Sequence, residues 1–249
     1  MATFRIMTYN VRSCRGNDGR VDPGRVVDVI SNGAPDIVAL QEIDSSADSG
    51  QLKLLAGRLG MRAYADPAWP ENAFLSYYHI SGLRAHDLGG GRCLRGDVDL
   101  GGKRLHLFNL RLSSAPELRR QQITRLLGPE LLASNSLGCP CLVLGDFGDF
   151  WWGAGNFDLN MMLRQVRRPL WRATYPARLP LAGRDRAYLM GAVRVLEATV
   201  QCHPPARFAS SHLPLVLTVQ IVDPRHYLRL EKLKPGRMET VPGLPYWPG

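Results

Sequence analysis

The stretch "PDIVALQE" (35–42) decides the fold of this chain. Four apolar residues, 37–40, precede Gln41 and Glu42, a pattern typical of a buried strand that ends at a polar sheet edge. The segment before it, "DPGRVVDVISNGAPD" (22–36), has a helical period, with Asp22 as N-cap and Pro23 at the first helical position. Because "FRIMTYNV" (4–11) is another β-like run, the chain is predicted to begin as strand, helix, strand.

The rest of the chain contains more strand-like than helix-like segments. Helices are predicted over 50–61, over 115–134 with Ser113 or Ser114 as cap, and over 157–166. The predicted strands are 72–80, 83–89, 92–100, 103–112, 140–147, 184–190, 193–202 and 213–222. Because the helices are spread along a strand-rich chain, the expected fold is an α/β sandwich of two packed sheets flanked by helices, not a doubly wound parallel sheet.

Length and composition fit one large folded domain or two small ones. The 249 residues are 45% hydrophobic, which is enough for a large core, and we expect a domain over 1–222 and a Pro-rich basic extension over 223–249. The net charge of +9 favours polyanionic or phosphorylated partners. The first ten residues, "MATFRIMTYN", resemble neither a signal peptide nor a transmembrane segment, so a cytoplasmic protein is the default expectation.

The five cysteines are expected to be reduced and mostly buried thiols. Their number is odd, and Cys139 and Cys141 are separated by one residue. The usual zinc and thioredoxin motifs have at least two residues between their cysteines. Neither motif is therefore indicated.

Polar residues stand where several of the predicted strands end or begin. They are Asn10, Glu42, Asp146 and the pair Ser211 and His212, and Asp185 opens a further strand. Sheet edges place such side chains in a common crevice. Carboxylate and amide oxygens suit a hard divalent cation, and a histidine with a carboxylate suits proton transfer.

Each residue of this set also has a purely structural explanation. Glu42 could cap a turn, Asp185 could pair with Arg184 or Arg186, and His212 could be a satisfied structural histidine. The order and spacing of the whole set, rather than any one member, favour a functional site.

That order resembles the endonuclease/exonuclease/phosphatase family, which has the fold of DNase I-like nucleases, sphingomyelinases and inositol-phosphate phosphatases. The matching segments are "TYNVR", "DIVALQE", "NAFLS", "LGDF", "ATYPARLPLAGRDRAYLM" (173–190) and "SHLPLV", and they lie in order within 4–221. The 173–190 block is similar to the "TFP…P…LDRIYV" block of short bacterial members. The resemblance implies a four-layer α/β/β/α sandwich with its site at one end of the two sheets.

The resemblance also implies a role for each site residue. Glu42 would be the principal ligand of Mg²⁺ or Mn²⁺, with Asn10 beside it. Asp146 would orient or deprotonate the attacking water, and Asp185 would hold His212 against a phosphoryl oxygen. The implied activity is metal-dependent hydrolysis of a phosphoester, in which the cation neutralises charge that develops on the phosphoryl group.

The chain departs from the family pattern around the expected phosphate. Gly148 stands where the family usually has Asn and Ser211 where it has Asp, and these losses predict weaker binding of Mg²⁺. Arg111 replaces a histidine that contacts the scissile phosphate, and Arg12 replaces an acidic residue. With Asn72, these arginines are the candidate phosphate ligands. An arginine binds phosphate well but does not shuttle protons at neutral pH.

Two hypotheses follow from this altered pattern. The first is a working hydrolase of nuclease, phosphodiesterase or phosphatase type, in which Arg12 and Arg111 supply positive charge. The second is a pseudoenzyme that binds phosphate-containing ligands. The intact "QE", "GD" and "SH" motifs favour the hydrolase. The sequence leaves the partner open among nucleic acid, phospholipid head groups and small phosphoesters, and it leaves the oligomeric state open as well. The aromatic loop 147–157 suits stacking on bases, lipid contact or local packing.

Overall fold

The computed structural model describes residues 3–46, 48–134, 137–149, 154–167 and 173–222. Its strands are β1 (Phe4–Asn10), β2 (Ile37–Gln41), β3 (Arg62–Asp66), β4 (Trp69–Ser76), β5 (Ile80–Asp87), β6 (Arg92–Leu100), β7 (Lys103–Arg111), β8 (Cys141–Asp146), β9 (Arg164–Gln165), β10 (Asp185–Met190), β11 (Val193–Val200) and β12 (Leu215–Ile221). Its helices are α1 (Pro23–Gly33), α2 (Gln51–Leu59), α3 (Pro116–Leu126), α4 (Ala154–Met162) and α5 (Pro204–Ala209), and a 3₁₀ turn covers Arg12–Cys14.

The strands form two mixed six-stranded sheets, as the sequence predicts. The first sheet has the order β11-β12-β1-β2-β4-β3 and the second the order β5-β6-β7-β8-β10-β9. β1 and β2 are parallel, β7 and β8 are parallel, and the other pairs are antiparallel. The carboxyl ends of the central parallel strands therefore meet at one edge of each sheet.

Helices cover the outer face of each sheet and complete a four-layer α/β/β/α sandwich. α1 and α2 contribute to the large core that includes β1 and β2, whereas α3 and α4 contribute to a smaller core with β7 and β8. α1 begins where the sequence predicts, because Asp22 Oδ1 accepts a hydrogen bond from Gly24 N at 2.9 Å. Burial of both faces explains why the central strands are almost continuously apolar.

Alternation along β8 decides which of its side chains face the other sheet. Leu142 and Leu144 belong to the large core between the sheets, and Cys141 and Val143 belong to the smaller core beneath α3 and α4. Asp146 continues the inward series, so the strand delivers its carboxylate to the space between the two sheets.

Several element boundaries differ from the sequence predictions. α3 ends at Leu126 rather than near residue 134, because Gly128 and Pro129, which follow Leu126 closely, disfavour continuation of the helix. Ser113 does not cap the helix from the N-cap position, which is Ala115; its Oγ instead accepts from Ala115 N at 3.1 Å. α4 ends at Met162, and the predicted strand 72–80 divides between β4 and β5. The strands β3 and β9 and the short helix α5 were not predicted from the sequence, and β9 lies within the segment 157–166 that was predicted to be helical.

Two predicted features lie partly or wholly outside the described residues. The extension 223–249 is one of them, and residues 150–153 of the aromatic loop are the other. Phe147 of that loop is fully buried, with its ring centroid 5.0 Å from that of Tyr188, so this residue packs locally. Among the residues that the structure describes, no helix has the length and apolar character needed to cross a membrane.

Candidate active site

One edge of the sandwich brings together most of the predicted site residues. The strand ends that meet there carry Asn10, Arg111 and Asp146, and Glu42 comes directly after β2. Asp185 begins the antiparallel strand β10, and His212 lies in the loop just before the antiparallel strand β12. Residues from both sheets therefore face one another across this edge.

The Asn10 side chain joins the two sheets at the centre of the site. Asn10 is fully buried, and its Nδ2 donates to Glu42 Oε1 at 2.9 Å and to Asp146 Oδ2 at 3.1 Å. Its Oδ1 accepts from the Arg12 backbone N at 3.1 Å. The amide thus presents its NH₂ group, not its oxygen, to the two carboxylates.

Glu42 reaches this edge because the backbone leaves the strand geometry there. Gln41, the last residue of β2, points inward and donates from Nε2 to Asn109 Oδ1 at 2.7 Å. In a continued strand the next side chain would point outward. Glu42 instead has a left-handed φ of 51°, so the side chains of both Gln41 and Glu42 serve the interior edge.

One arginine contacts the Glu42 carboxylate, and a second begins the neighbouring turn. Arg111 donates from Nε to Glu42 Oε1 at 2.9 Å, and the two side chains are 41% and 28% exposed. Arg12 is exposed and begins a turn in which Arg12, Ser13 and Cys14 all have left-handed φ values, of 49°, 49° and 56°. The Ser13 backbone N–H donates to the Glu42 carbonyl, which joins the two strained turns.

Asp146 is a fully buried carboxylate with several donors around it. Oδ1 accepts from Gly148 N at 2.9 Å and from Arg184 Nε at 3.2 Å. Oδ2 accepts from Arg184 Nη2 and from Asn10 Nδ2, both at 3.1 Å. Burial alone favours the neutral acid, but the charges of His212 and Arg184 outweigh it and lower the pKa of Asp146.

His212 lies between two buried aspartates. Its Nδ1 is 2.9 Å from Asp185 Oδ2, and its Nε2 is 3.8 Å from Asp146 Oδ2. Burial disfavours the imidazolium, yet the carboxylates of Asp185 and Asp146 together overcome it and raise the pKa of His212. The arrangement therefore favours a charged His212 with Nδ1–H held by Asp185 and Nε2–H directed toward Asp146.

Neighbouring groups fix the position of the His212 ring. Ser210 donates from Oγ to the Asn10 carbonyl at 2.7 Å and accepts from His212 N at 3.2 Å. The Tyr175 ring lies 4.8 Å from the His212 ring on one side and 4.8 Å from the Arg184 guanidinium on another. Thr174 Oγ1 accepts from the backbone N of Asp185 at 3.1 Å.

Asn72 belongs to a buried amide network beneath Glu42. Its Nδ2 donates to the Asn109 carbonyl at 3.2 Å, and Asn109 Nδ2 in turn donates to the carbonyls of Leu40 at 2.8 Å and Ala73 at 3.0 Å. Asn72 is only 2% exposed. The network ties the two sheets together directly behind the site.

The requirement for glycine at position 148 is steric. Gly148 has φ of 65°, and a Cβ there would lie 2.4 Å from the Ser113 carbonyl oxygen. An Asn side chain therefore does not fit this backbone. Gly145 is likewise required by close approach, since a Cβ would lie 1.9 Å from the carbonyl oxygen of Leu110 on the adjacent strand.

The structure corrects one expected pairing and adds residues that sequence reasoning missed. The purely structural explanation of Asp185 was an ion pair with Arg184 or Arg186. Instead, Arg184 binds Asp146, and Arg186 Nη2 lies 3.6 Å from Asp149 Oδ2. Ser210 and Asn109 were not predicted as site residues. Asn109 was recognisable in principle, because a polar residue within the apolar run "HLFNL" must find buried partners.

The donor set as arranged does not fit the divalent metal expected at Glu42 and Asn10. A hard cation needs several oxygen ligands, but the Asn10 oxygen faces a backbone N–H and Glu42 Oε1 already accepts from Asn10 and Arg111, which leaves only Oε2 of these two residues for a cation. Both oxygens of Asp146 accept two hydrogen bonds each. Within the described ranges, no three His, Cys, Asp or Glu side chains are grouped as a metal site.

The fold and the site define a class of protein that cleaves phosphoester bonds. The sequence profile of the Endonuclease/Exonuclease/phosphatase family matches residues 7–212, and this chain belongs to that family. Enzymes of the family act on phosphoesters and generally depend on a divalent metal. No curated protein sequence matches the chain.

Solved structures share the fold at low sequence identity. An endonuclease/exonuclease/phosphatase from Beutenbergia cavernae is 20% identical with a TM-score of 0.68, over 89% of this chain and 72% of that one. A mannosyl-6-phosphatase from Bacteroides thetaiotaomicron is 14% identical with a TM-score of 0.71, over 87% and 99%. TDP2 from D. rerio, complexed with a single-strand DNA product, is 14% identical with a TM-score of 0.70, over 88% and 100%.

Proposed function

We propose that this protein is a phosphoester hydrolase in which His212 is the proton-donating catalytic group. The observation that carries the proposal is the buried array of Asp185, His212 and Asp146, in which the imidazole is 2.9 Å from one carboxylate and 3.8 Å from the other. Such an array keeps an imidazolium charged and oriented, as a general acid requires.

His212 would act through Nε2. Asp185 holds Nδ1, which leaves the Nε2 proton for a phosphoryl or leaving-group oxygen. The carboxylates of Asp185 and Asp146 raise the pKa of His212, which favours retention of that proton. Donation to the ester oxygen would assist departure of the alcohol product as water attacks phosphorus.

Asp146 is assigned an orienting rather than a basic role. A carboxylate has about four acceptor positions, and Asp146 already accepts four hydrogen bonds. Its lowered pKa also makes it a weak proton acceptor. We assign contact with the attacking water to Glu42, because its side chain is 28% exposed and its Oε2 accepts from none of the described residues, whereas both oxygens of Asp146 are engaged.

The phosphate is assigned to the arginines at the outer rim of the site. Arg111 is a part-exposed cation that contacts Glu42, Arg12 is an exposed cation two residues after Asn10, and a guanidinium matches two phosphate oxygens. Asn72 is proposed as a positioning residue rather than a phosphate ligand, since it is buried and its amide donates to the Asn109 carbonyl.

The proposal is tested by phosphate release from a panel of esters. The panel includes p-nitrophenyl phosphate, bis-p-nitrophenyl phosphate, mannose 6-phosphate and single-stranded DNA, because structural neighbours are a mannosyl-6-phosphatase and a DNA-product complex. We expect turnover of at least one ester and a loss of at least about 100-fold in His212→Ala. Asp185→Asn should lower kcat and shift the alkaline limb of the pH profile to lower pH, because the Asp185 charge raises the pKa of His212.

The protein offers a matched control for these variants. His106 is also a buried histidine bonded to an aspartate, with Nδ1 2.6 Å from Asp97 Oδ1, but it lies toward the opposite end of β7 from Arg111. His106→Ala should retain turnover. Equal losses in His106→Ala and His212→Ala would show that the effect is structural and would overturn the assignment of His212.

A second candidate function is binding of a phosphorylated ligand without turnover. One observation favours it: both carboxylates expected to handle metal or water, Glu42 and Asp146, are engaged by Arg111 and Arg184. Absence of turnover on the whole panel, in EDTA and in Mg²⁺ alike, together with saturable phosphate binding, would support this function over the hydrolase.

A further inference from the structure

Arg111 stands where its charge acts directly on the carboxylate that was expected to bind metal. Its Nε donates to Glu42 Oε1 at 2.9 Å. None of the described residues accepts from its two Nη groups, and the side chain is 41% exposed. One edge of the guanidinium therefore neutralises Glu42 while its remaining donors are available to a ligand at the rim.

Arg184 has the corresponding position on the other carboxylate. It contacts both oxygens of Asp146, at 3.2 Å from Nε and 3.1 Å from Nη2, and its side chain is 12% exposed. Nη2 also donates to Ser114 Oγ at 3.2 Å. A planar guanidinium bound to both oxygens of a buried carboxylate is a fixed feature of the site.

The local charge balance suits a phosphate group without added metal. The carboxylates at the edge are Glu42, Asp146 and Asp185, and the cations are Arg12, Arg111, Arg184 and the His212 imidazolium. The edge therefore carries one net positive charge. The departures at 12, 111 and 211 from the expected family pattern each change this charge in the same, positive direction.

We propose that Arg111 takes the place of the divalent cation and that the site binds a phosphate dianion through guanidinium and imidazolium groups without metal. This deepens the proposed function, on which it rests for the location of the site. To use Glu42 Oε1 and the Asn10 oxygen as ligands, a cation would have to displace Arg111 from that oxygen and turn the Asn10 amide away from the Arg12 N–H. Phosphate needs neither change.

Calorimetric titration of inorganic phosphate into the full chain tests the proposal. The titration is made in EDTA and in excess Mg²⁺, with wild type, Arg111→Gln and Arg111→Lys. We expect wild type to bind equally well in both buffers and Arg111→Gln to bind at least about tenfold more weakly. Arg111→Lys should fall between them, because it keeps the charge but loses the planar fork.

Arg104 supplies the control on the same strand. It is also paired with an acidic residue, Asp99, at 3.8 Å, but its side chain is 53% exposed and it lies at the other end of β7. Arg104→Gln should bind phosphate as wild type does. Binding that requires Mg²⁺, or that is unchanged in Arg111→Gln, would overturn the proposal.

Failure of this inference and failure of the hydrolase proposal give different results. Metal-free phosphate binding that depends on Arg111, without turnover of any ester, would leave the inference intact and reject the hydrolase. Turnover that appears only with Mg²⁺ and is lost in Glu42→Ala would leave the hydrolase intact and reject the inference.

Discussion

Arg111 Nε lies 2.9 Å from Glu42 Oε1 and joins the ends of two central strands that belong to different sheets. Both side chains are part-exposed, so solvent weakens the pair, and it is easily rearranged by mutation. Because the guanidinium and a divalent cation would compete for the same carboxylate, we expect this contact to influence what the site binds.

Removal of Arg111 should create affinity for metal. In Arg111→Gln, Glu42 loses its cationic partner and becomes available to a hard cation that keeps most of its water. We expect Mn²⁺ to bind at millimolar concentration in this variant and to bind at least about tenfold more weakly to wild type. Electron paramagnetic resonance of free Mn²⁺ measures both affinities directly.

The double variant Arg111→Gln with Glu42→Gln is the control for this gain. It removes the carboxylate as well, so its Mn²⁺ affinity should return to the wild-type level. A wild-type protein that already binds Mn²⁺ tightly, or a double variant that retains the gain, would show that Glu42 and Arg111 do not compete with metal in this way.

Substitution of Gly148 should destabilise the fold through a backbone clash. Gly148→Ala places a Cβ 2.4 Å from the Ser113 carbonyl oxygen and 2.7 Å from that of Leu112, and it also imposes a left-handed φ of 65° on a non-glycine residue. We expect the free energy of unfolding to fall by about 3 kcal/mol or more. Urea denaturation followed by circular dichroism measures the loss.

Substitution of Gly102 distinguishes the steric clash from the backbone strain as causes of that loss. It has a similar left-handed φ of 77° but nothing lies within 4 Å of its added Cβ. Gly102→Ala should therefore cost only about 1 kcal/mol, which is the penalty of the backbone conformation itself. If the two variants lose the same stability, the segment around Gly148 must be able to relax.

The strand pattern made the location of the site predictable. Apolar runs that end in Asn10, Glu42 and Asp146 place these residues at strand ends, and parallel pairing brings such ends together. The period of two also puts Asp146 on the inner face with Leu142 and Leu144. These properties depend only on local sequence and on the rules of sheet pairing.

The ion pairs of the site were not predictable in the same way. Arg184 is adjacent to Asp185 in sequence, yet it binds Asp146 on the neighbouring strand, because a long side chain selects its partner by position in space. The left-handed φ of Glu42 likewise has no glycine or asparagine to signal it. The contact between Arg111 and Glu42, on which the proposed preference for guanidinium over metal rests, was therefore visible only in three dimensions.

The raised pKa of His212 should make its contribution to stability dependent on pH. The folded protein holds the imidazolium more strongly than the unfolded chain, whose histidine has a pKa near the ordinary value of 6.5. The stabilisation is therefore complete below about pH 6.5 and is lost as pH rises through the folded pKa. The slope is at most about 1.4 kcal/mol per pH unit for one proton.

The difference in unfolding free energy between wild type and His212→Gln measures this dependence. It should decrease from pH 6.5 upward until the folded-state pKa is passed and then level off. A difference that grows with pH would mean that the folded protein prefers the neutral imidazole, and the role of His212 as proton donor would then be lost as well.

The buried cysteines should resist labelling in the folded protein. All five cysteines are free, and burial raises the pKa of Cys14, Cys93 and Cys141 to about 12. At pH 8 only about one in 10⁴ such thiols is ionised, whereas the thiolate is the form that reacts. Cys202 is exposed and should react first with Ellman's reagent.

Two measurements define this prediction. Cys202→Ser should remove the fast phase of labelling in native buffer, and unfolding in guanidinium should release the three buried thiols together. Their simultaneous appearance follows from the structure. Cys14 belongs to the large core, whereas Cys93 and Cys141 belong to the smaller core, so global unfolding is needed to expose all three. Fast labelling of Cys93 or Cys141 in native buffer would instead reveal local opening of the layer formed by α3 and α4.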